Sequence, residues 1–237
     1  MIHLMMQEEA EMSKQKKAIV WGDSVARGVI YDAARDRYRL SPCPAAELIA
    51  QAREMEIINR SRMGMTSAQG VAMVERDLSS GMRADYAILE FGGNDCDFDW
   101  QAVSASPDDV HLPRTDAELY RDNLCRMISD VRAAGMKPVL VNLPPIDGEH
   151  YLRFITRKGL SEKNILKWLG SPQRIYRFQE RYSMIVSRVA RECKCRLFDI
   201  RSAFLDVWDS VSLLCSDGIH PTEEGQRLIG QAILTGC

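Results

Sequence analysis

The 237-residue sequence lacks several features that would point to common functions. No apolar run approaches the roughly 20 residues that cross a bilayer. The start, Met1-Ile2-His3-Leu4-Met5-Met6-Gln7-Glu8-Glu9, has neither a basic segment nor a long apolar one, so no secretory leader is expected. Basic charge is not in excess: 31 Lys and Arg face 33 Asp and Glu, for a net charge of -2. A chain so balanced has no surplus to neutralise a phosphate backbone, and nucleic acid is not an expected partner. The seven cysteines form no C-x-x-C pair, and Cys193 and Cys195 stand too close for a common zinc knuckle. An odd count without a leader reads as reduced thiols and a cytoplasmic location. Gly22 to Gly28 lacks the Lys-Ser/Thr of a phosphate-binding loop and the glycine spacing of a dinucleotide fold.

What is present is an alternation of short apolar runs and helical periodicity. Five strands are expected: Lys17 to Trp21, Glu56 to Asn59, Tyr86 to Phe91, Pro138 to Leu143 and Arg196 to Ile200. They are unbroken apolar runs rather than in–out alternations, the pattern of parallel strands covered on both faces. Leu124, Met127, Ile128 and Val131 recur at helical spacing, with Thr115-x-x-Glu118 as a capping box and Gly135 as a stop. Phe178, Tyr182, Ile185, Val186 and Val189 make a second stripe, and Thr222 caps a last helix after Pro221. A further helical stretch is expected directly after Ser24. Strand alternating with helix gives an α/β fold with a doubly wound parallel sheet. The organisation expected is a tail over residues 1–16 and one domain over 17–237.

Two connections are long, 96–114 and 146–174, and both leave carboxyl ends of strands, the edge at which such sheets bind ligands. They carry Trp100, Tyr151, Phe154 and Trp168, expected to wall or cover a pocket and to touch substrate, and a short helix is expected around Glu162 to Leu169. Arg153, Arg157, Lys158, Lys163 and Lys167 make the second connection basic, read as a solvated face. Asp97 and Asp99 read as solvated loop carboxylates.

The residues at the strand ends carry the chemistry. Gly22-Asp23-Ser24 follows the first strand, Gly64 lies beyond the second, and Gly92-Gly93-Asn94-Asp95 follows the third. Ser24, Gly64 and Asn94 converge if the first strand lies between the second and third. A serine hydroxyl there is a nucleophile if a base reaches it. The N–H groups of Ser24 and Gly64 and the Asn94 amide are donors suited to an oxyanion. Asp217-Gly218-Ile219-His220-Pro221 supplies the base, with Asp217 on a turn that aims its carboxylate at the imidazole. His3, His111 and His150 are the other histidines, each read as lacking a carboxylate on a matching turn, although Asp108 and Asp109 precede His111. Asp23 and Asp95 read as turn-holding carboxylates. Taken singly, each motif has an ordinary reading: a helix cap, a turn, a capped loop. Four of them in order, each placed where the fold needs it, do not.

In that combination the chain resembles the SGNH hydrolases, the GDSL-type esterases and lipases, from Lys17 to the final helix. The resemblance implies a three-layer α/β/α sandwich, flavodoxin-like, with a five-stranded parallel sheet in the order 2-1-3-4-5. It implies metal-free ester hydrolysis without a cofactor, with Ser24 as nucleophile, Asp217 and His220 completing the triad, and Ser24, Gly64 and Asn94 forming the oxyanion hole. Val25 stands where many members have leucine. The partner implied is a small or acylated ester; a homodimer through loop or tail contacts is a further expectation. Two other readings use the same residues: an acyltransferase, if an alcohol rather than water takes the acyl group, and a ligand-binding protein of flavodoxin type without hydrolysis.

Overall fold

The computed structural model describes residues 15–236. Residues 1–14 of the expected tail, with His3, lie outside the described residues, as does Cys237. The central sheet consists of β1 (Lys17–Gly22), β4 (Glu56–Asn59), β5 (Tyr86–Glu90), β6 (Lys137–Val141) and β7 (Arg196–Phe198). All four pairings are parallel and the spatial order is β4-β1-β5-β6-β7. This is the expected 2-1-3-4-5 order once a two-stranded hairpin outside the sheet is set aside.

The unbroken apolar runs follow from burial on both faces. Ile19, Trp21, Ala87, Leu89 and Leu140 point to one side. There they pack on helices α3 (Ser67–Ser79), α5 (Ala117–Ala133) and α8 (Gln173–Glu192). The alternate residues Ile88, Val139 and Val141 face the other side, against α2 (Ala45–Ala52), α9 (Ile200–Leu205) and α10 (Glu223–Thr235). Layer, sheet, layer is the result.

Some expectations are displaced. Helix α5 is capped by Asp116, whose carboxylate accepts from Glu118 N and Leu119 N, not by the Thr115 capping box. Ile200 starts a helix capped by Asp199 instead of ending the fifth strand. The largest departure follows Ser24. Helix α1 (Ser24–Arg27) is a single turn ended by Gly28 at φ 79°, where a Cβ would also come within 2.6 Å of Pro44. The chain then enters an antiparallel hairpin, β2 (Val29–Asp32) and β3 (Arg37–Leu40), where more helix was expected.

The two long connections are largely helical. The first holds α4 (Trp100–Ala105); the second holds α6 (Gly148–Thr156) and α7 (Glu162–Leu169), the latter as expected. Together they bury a separate apolar cluster that includes Phe98, Trp100, Val103, Ile165 and Leu169. They form a cap of packed helices beside the carboxyl edge of the sheet.

Candidate active site

Ser24 follows β1, Asn94 follows β5, and β1 and β5 are hydrogen-bonded neighbours, so the sheet brings both residues to one crevice. The β4 exit is tied to the same place. Asn59 Nδ2 donates to Ala26 O (2.8 Å), Arg27 Nη1 donates to Ser61 O (2.8 Å), and Arg62 N donates to Gly22 O (3.0 Å). Gly64, at φ 76°, then borders the cleft.

His220 arrives from the far end of the chain on a tight loop. Cys215 N donates to His220 O (2.7 Å), Gly218 N to Cys215 O (2.9 Å) and Thr222 N to Leu213 O (2.8 Å), which closes the loop ahead of α10. Asp217, fully buried, accepts from His220 N (3.1 Å) and Ile219 N (3.2 Å) through Oδ1. Its Oδ2 lies 2.6 Å from His220 Nδ1, and His220 Nε2 lies 2.9 Å from Ser24 Oγ. A carboxylate at Nδ1 selects the tautomer protonated there, which leaves the Nε2 lone pair facing the serine hydroxyl.

Helix α1 is too short to present a macrodipole, so individual N–H groups and side chains must provide any stabilisation of charge. Asp23 Oδ1 accepts from Val25 N (2.8 Å) and its Oδ2 accepts from Asn94 Nδ2 (3.1 Å). Asn94 Nδ2 also donates to Met65 O (3.2 Å). Two acceptors therefore orient the amide; flipping it would set Oδ1 against a carboxylate and a carbonyl. Asp95 holds the loop to α3 by accepting from Ser67 N (2.9 Å) and Ser67 Oγ (2.6 Å). Asp23 and Asp95 are thus the turn-holding groups expected.

The cleft encloses about 300 Å³ and is lined by Ser24 and His220 together with the apolar side chains of Phe98, Leu143, Ile146, Ile175 and Phe178. Trp100 and Tyr151 line it, whereas Phe154 and Trp168 do not. Trp168 packs edge-on against Phe98 (4.9 Å between centroids) in the cap, and Phe154 packs on Tyr31 of the hairpin (5.0 Å). Asp97 is not a solvated carboxylate. It accepts from Trp100 Nε1 (2.8 Å) and Tyr151 OH (3.0 Å), and burial raises its pKa. Asp99 caps α4. Lys158 pairs with Asp36 and Lys167 with Asp108, both on the exterior.

Sequence reading missed two features. Tyr38, on the hairpin, lines the cleft and lies 5.0 Å from the His220 ring between centroids. His150 does have a carboxylate on a matching turn: Asp147 Oδ2 lies 2.6 Å from its Nδ1, at the same spacing as Asp217 and His220. Asp147 is the N-cap of α6, and its own N–H donates to Gly218 O (2.8 Å), so this second Asp–His turn braces the loop that carries His220. The Asp-x-x-His spacing was the available signal. His150 does not line the cleft, and His111, bonded to Ser106 O, is on the exterior. Among the described residues no group of three or more His, Cys, Asp or Glu side chains could hold a metal ion, and no helix is long and apolar enough to cross a membrane.

Comparison with known proteins agrees with this architecture. Residues 20–228 match the GDSL-like Lipase/Acylhydrolase family. A GDSL esterase/lipase of Oryza sativa subsp. japonica is 25% identical over 190 residues, which cover 77% of this chain and 65% of the rice protein. The chain thus spans just under two thirds of that relative. An uncharacterised lipoprotein of Bacillus subtilis is 23% identical over 234 residues, covering 92% of this chain and 88% of the relative. The crystal structure of a lipase/acylhydrolase from Enterococcus faecalis superposes with a TM-score of 0.65 at 18% identity, covering 93% of this chain and 94% of that one.

Proposed function

The chain belongs to the GDSL-like lipase/acylhydrolase family, a family of ester hydrolases, and from that membership we propose a serine esterase that works through an acyl-enzyme. The observation that carries this reading is the continuous relay Asp217–His220–Ser24, with contacts of 2.6 and 2.9 Å, whose Ser24 and His220 line the cleft.

In the first half-reaction Ser24 Oγ bonds to the ester carbonyl carbon as its proton passes to His220 Nε2. Asp217 stabilises the imidazolium and keeps the ring in place. The carbonyl oxygen becomes an oxyanion, for which the N–H groups of Ser24 and Gly64 and the Asn94 amide are the donors; one such donor is worth about 10²–10³ in kcat. For Asn94 to serve, one hydrogen must turn from Met65 O or Asp23 to the oxyanion. The C–O bond then breaks, and His220 returns the proton to the departing alcohol. Water attacks the acyl-enzyme with His220 again as base, which releases the acid and restores Ser24.

The apolar side chains lining the cleft suit the acyl group and its size suits a short or medium chain. Trp100 and Tyr151 are proposed as substrate contacts. Hydrolysis of a short p-nitrophenyl ester tests the assignment: Ser24→Ala should lower kcat on the order of 10⁴-fold or more. Turnover undiminished in that variant would refute it.

A further inference from the structure

Beneath Ser24 lies a second acidic side chain that the relay does not use. Glu90 ends β5, borders the cleft and is 2% exposed, as is Asp23. Glu90 Oε2 accepts from Ala26 N (3.2 Å) and weakly from Asp23 N (3.5 Å). Its Oε1 is buried and receives no hydrogen bond among the described residues, as suits an oxygen that carries a proton. The Asp23 and Glu90 carboxyl groups are buried neighbours that influence each other's ionisation. Glycines make room for them: a Cβ on Gly22 would lie 3.1 Å from Glu90 Oε2, and one on Gly93 would lie 3.2 Å from Asp23 Oδ2. The other titratable groups facing the pair are His220, Asp95, Cys96 and Tyr120 toward Asp23, and Tyr120 toward Glu90 as well.

Two carboxyl groups held as neighbours out of water do not both ionise. Burial, more than any neighbour, pushes Asp23 up to about 6 and Glu90 well above its ordinary 4.5; both oxygens of Asp23 accept hydrogen bonds whereas Glu90 Oε1 receives none among the described residues, so Glu90 is the neutral member. We propose that Glu90 is a positioning residue for the oxyanion donor: its O–H donates to the Asp23 carboxylate, and that carboxylate fixes the Asn94 amide beside Ser24. The inference rests on the serine-esterase reading, because it assigns Asn94 a task there. Asp23 alone would present a full charge and grip the amide; sharing a proton tempers that grip while keeping the direction.

Infrared difference spectra of the whole protein at neutral pH test the proton directly. A carboxylic-acid C=O band should be present in the wild type, lost in Glu90→Gln and retained in Glu149→Gln, a change at an exposed site. In ester hydrolysis Glu90→Leu, which has no donor, should lose about 10- to 100-fold in kcat, with KM changed less than about threefold. Glu90→Gln, whose amide N–H replaces the O–H, should rescue most of that loss. Should Glu90→Leu not fold, Asp23→Asn, which keeps the shape but not the anionic acceptor, must show the kcat loss instead. The proposal fails if no acid band depends on Glu90, if Gln rescues nothing, or if the folded donor-less or charge-less variant turns over like wild type. The band does not depend on turnover, so it separates this outcome from failure of the Ser24 assignment, which Ser24→Ala reads by itself.

Discussion

Ser24 and His220 are 196 positions apart, and the fold leaves 2.9 Å between Ser24 Oγ and His220 Nε2. The serine is placed by Asp23, which caps the turn behind it, and the histidine by Asp217, which holds both its backbone and its ring. The proposed roles were legible because chemistry restricts the residue types: a base, its carboxylate and a nucleophile leave few choices. Gly64 is a subtler case. Its φ of 76° disfavours a side chain, yet a Cβ there would meet nothing within 4 Å. Gly64→Ala therefore tests backbone conformation without steric conflict. The expected cost is about 1 kcal/mol of stability, read as a lower urea midpoint, with a fall in kcat as the N–H turns from the oxyanion position.

At the scale of elements, the hairpin β2–β3 was invisible in the sequence. Its turn, Ala33-Ala34-Arg35-Asp36, has no glycine or asparagine to announce it; Asp36 instead adopts φ 45°. Asp36 is held by Tyr31 OH (2.6 Å) and pairs with Arg157 and Lys158, while the Arg157 guanidinium lies 3.4 Å over the Phe154 ring. Phe154, expected to touch substrate, instead fastens the hairpin to α6 and so keeps Tyr38 against His220. Phe154→Ala should raise KM several-fold with a smaller change in kcat, and should speed hydrogen exchange of the hairpin amides. Unchanged exchange at Val29 to Leu40 would contradict this role. Asp147 and His150 escaped notice for a similar reason: a helix N-cap and a side-chain pair coincide there, and only the packing on Gly218 gives the pair a task.

Across the whole molecule, strand order and both helical layers were readable because apolar runs and helical stripes report burial directly. The cap was only half readable. Its length and aromatics were plain, but whether Trp168 faces the cleft or the cap interior depends on how α4 and α7 pack, which periodicity does not encode. Global stability carries the signature of the buried acids. An acid whose folded pKa exceeds its unfolded value stabilises fully below the unfolded value and loses that contribution as pH rises through the folded one. For Asp23 the window runs from the ordinary 3.8 to about 6, and burial places Glu90 above its ordinary 4.5. Opposed to them is Asp77: burial works against its ionisation, but Arg60 and Trp21 outweigh it and hold the carboxyl low. Its contribution is complete above the ordinary carboxylate range. Urea midpoints should therefore decline as pH rises from about 5 through about 6, where Asp23 titrates, and decline less in Asp23→Asn. A midpoint that rises over that interval would show that the pair ionises freely in the folded state.

In the proposed reaction one hydroxyl of this chain attacks carbonyl carbon with help from a histidine near the C-terminus. A fluorophosphonate probe reads it most directly, because it bonds only to an activated nucleophile. Peptide mass spectrometry should find a single adduct on Ser24, slowed by orders of magnitude in His220→Ala and absent after Ser24→Ala. Labelling at another residue, or labelling of Ser24 at the same rate without His220, would contradict the account.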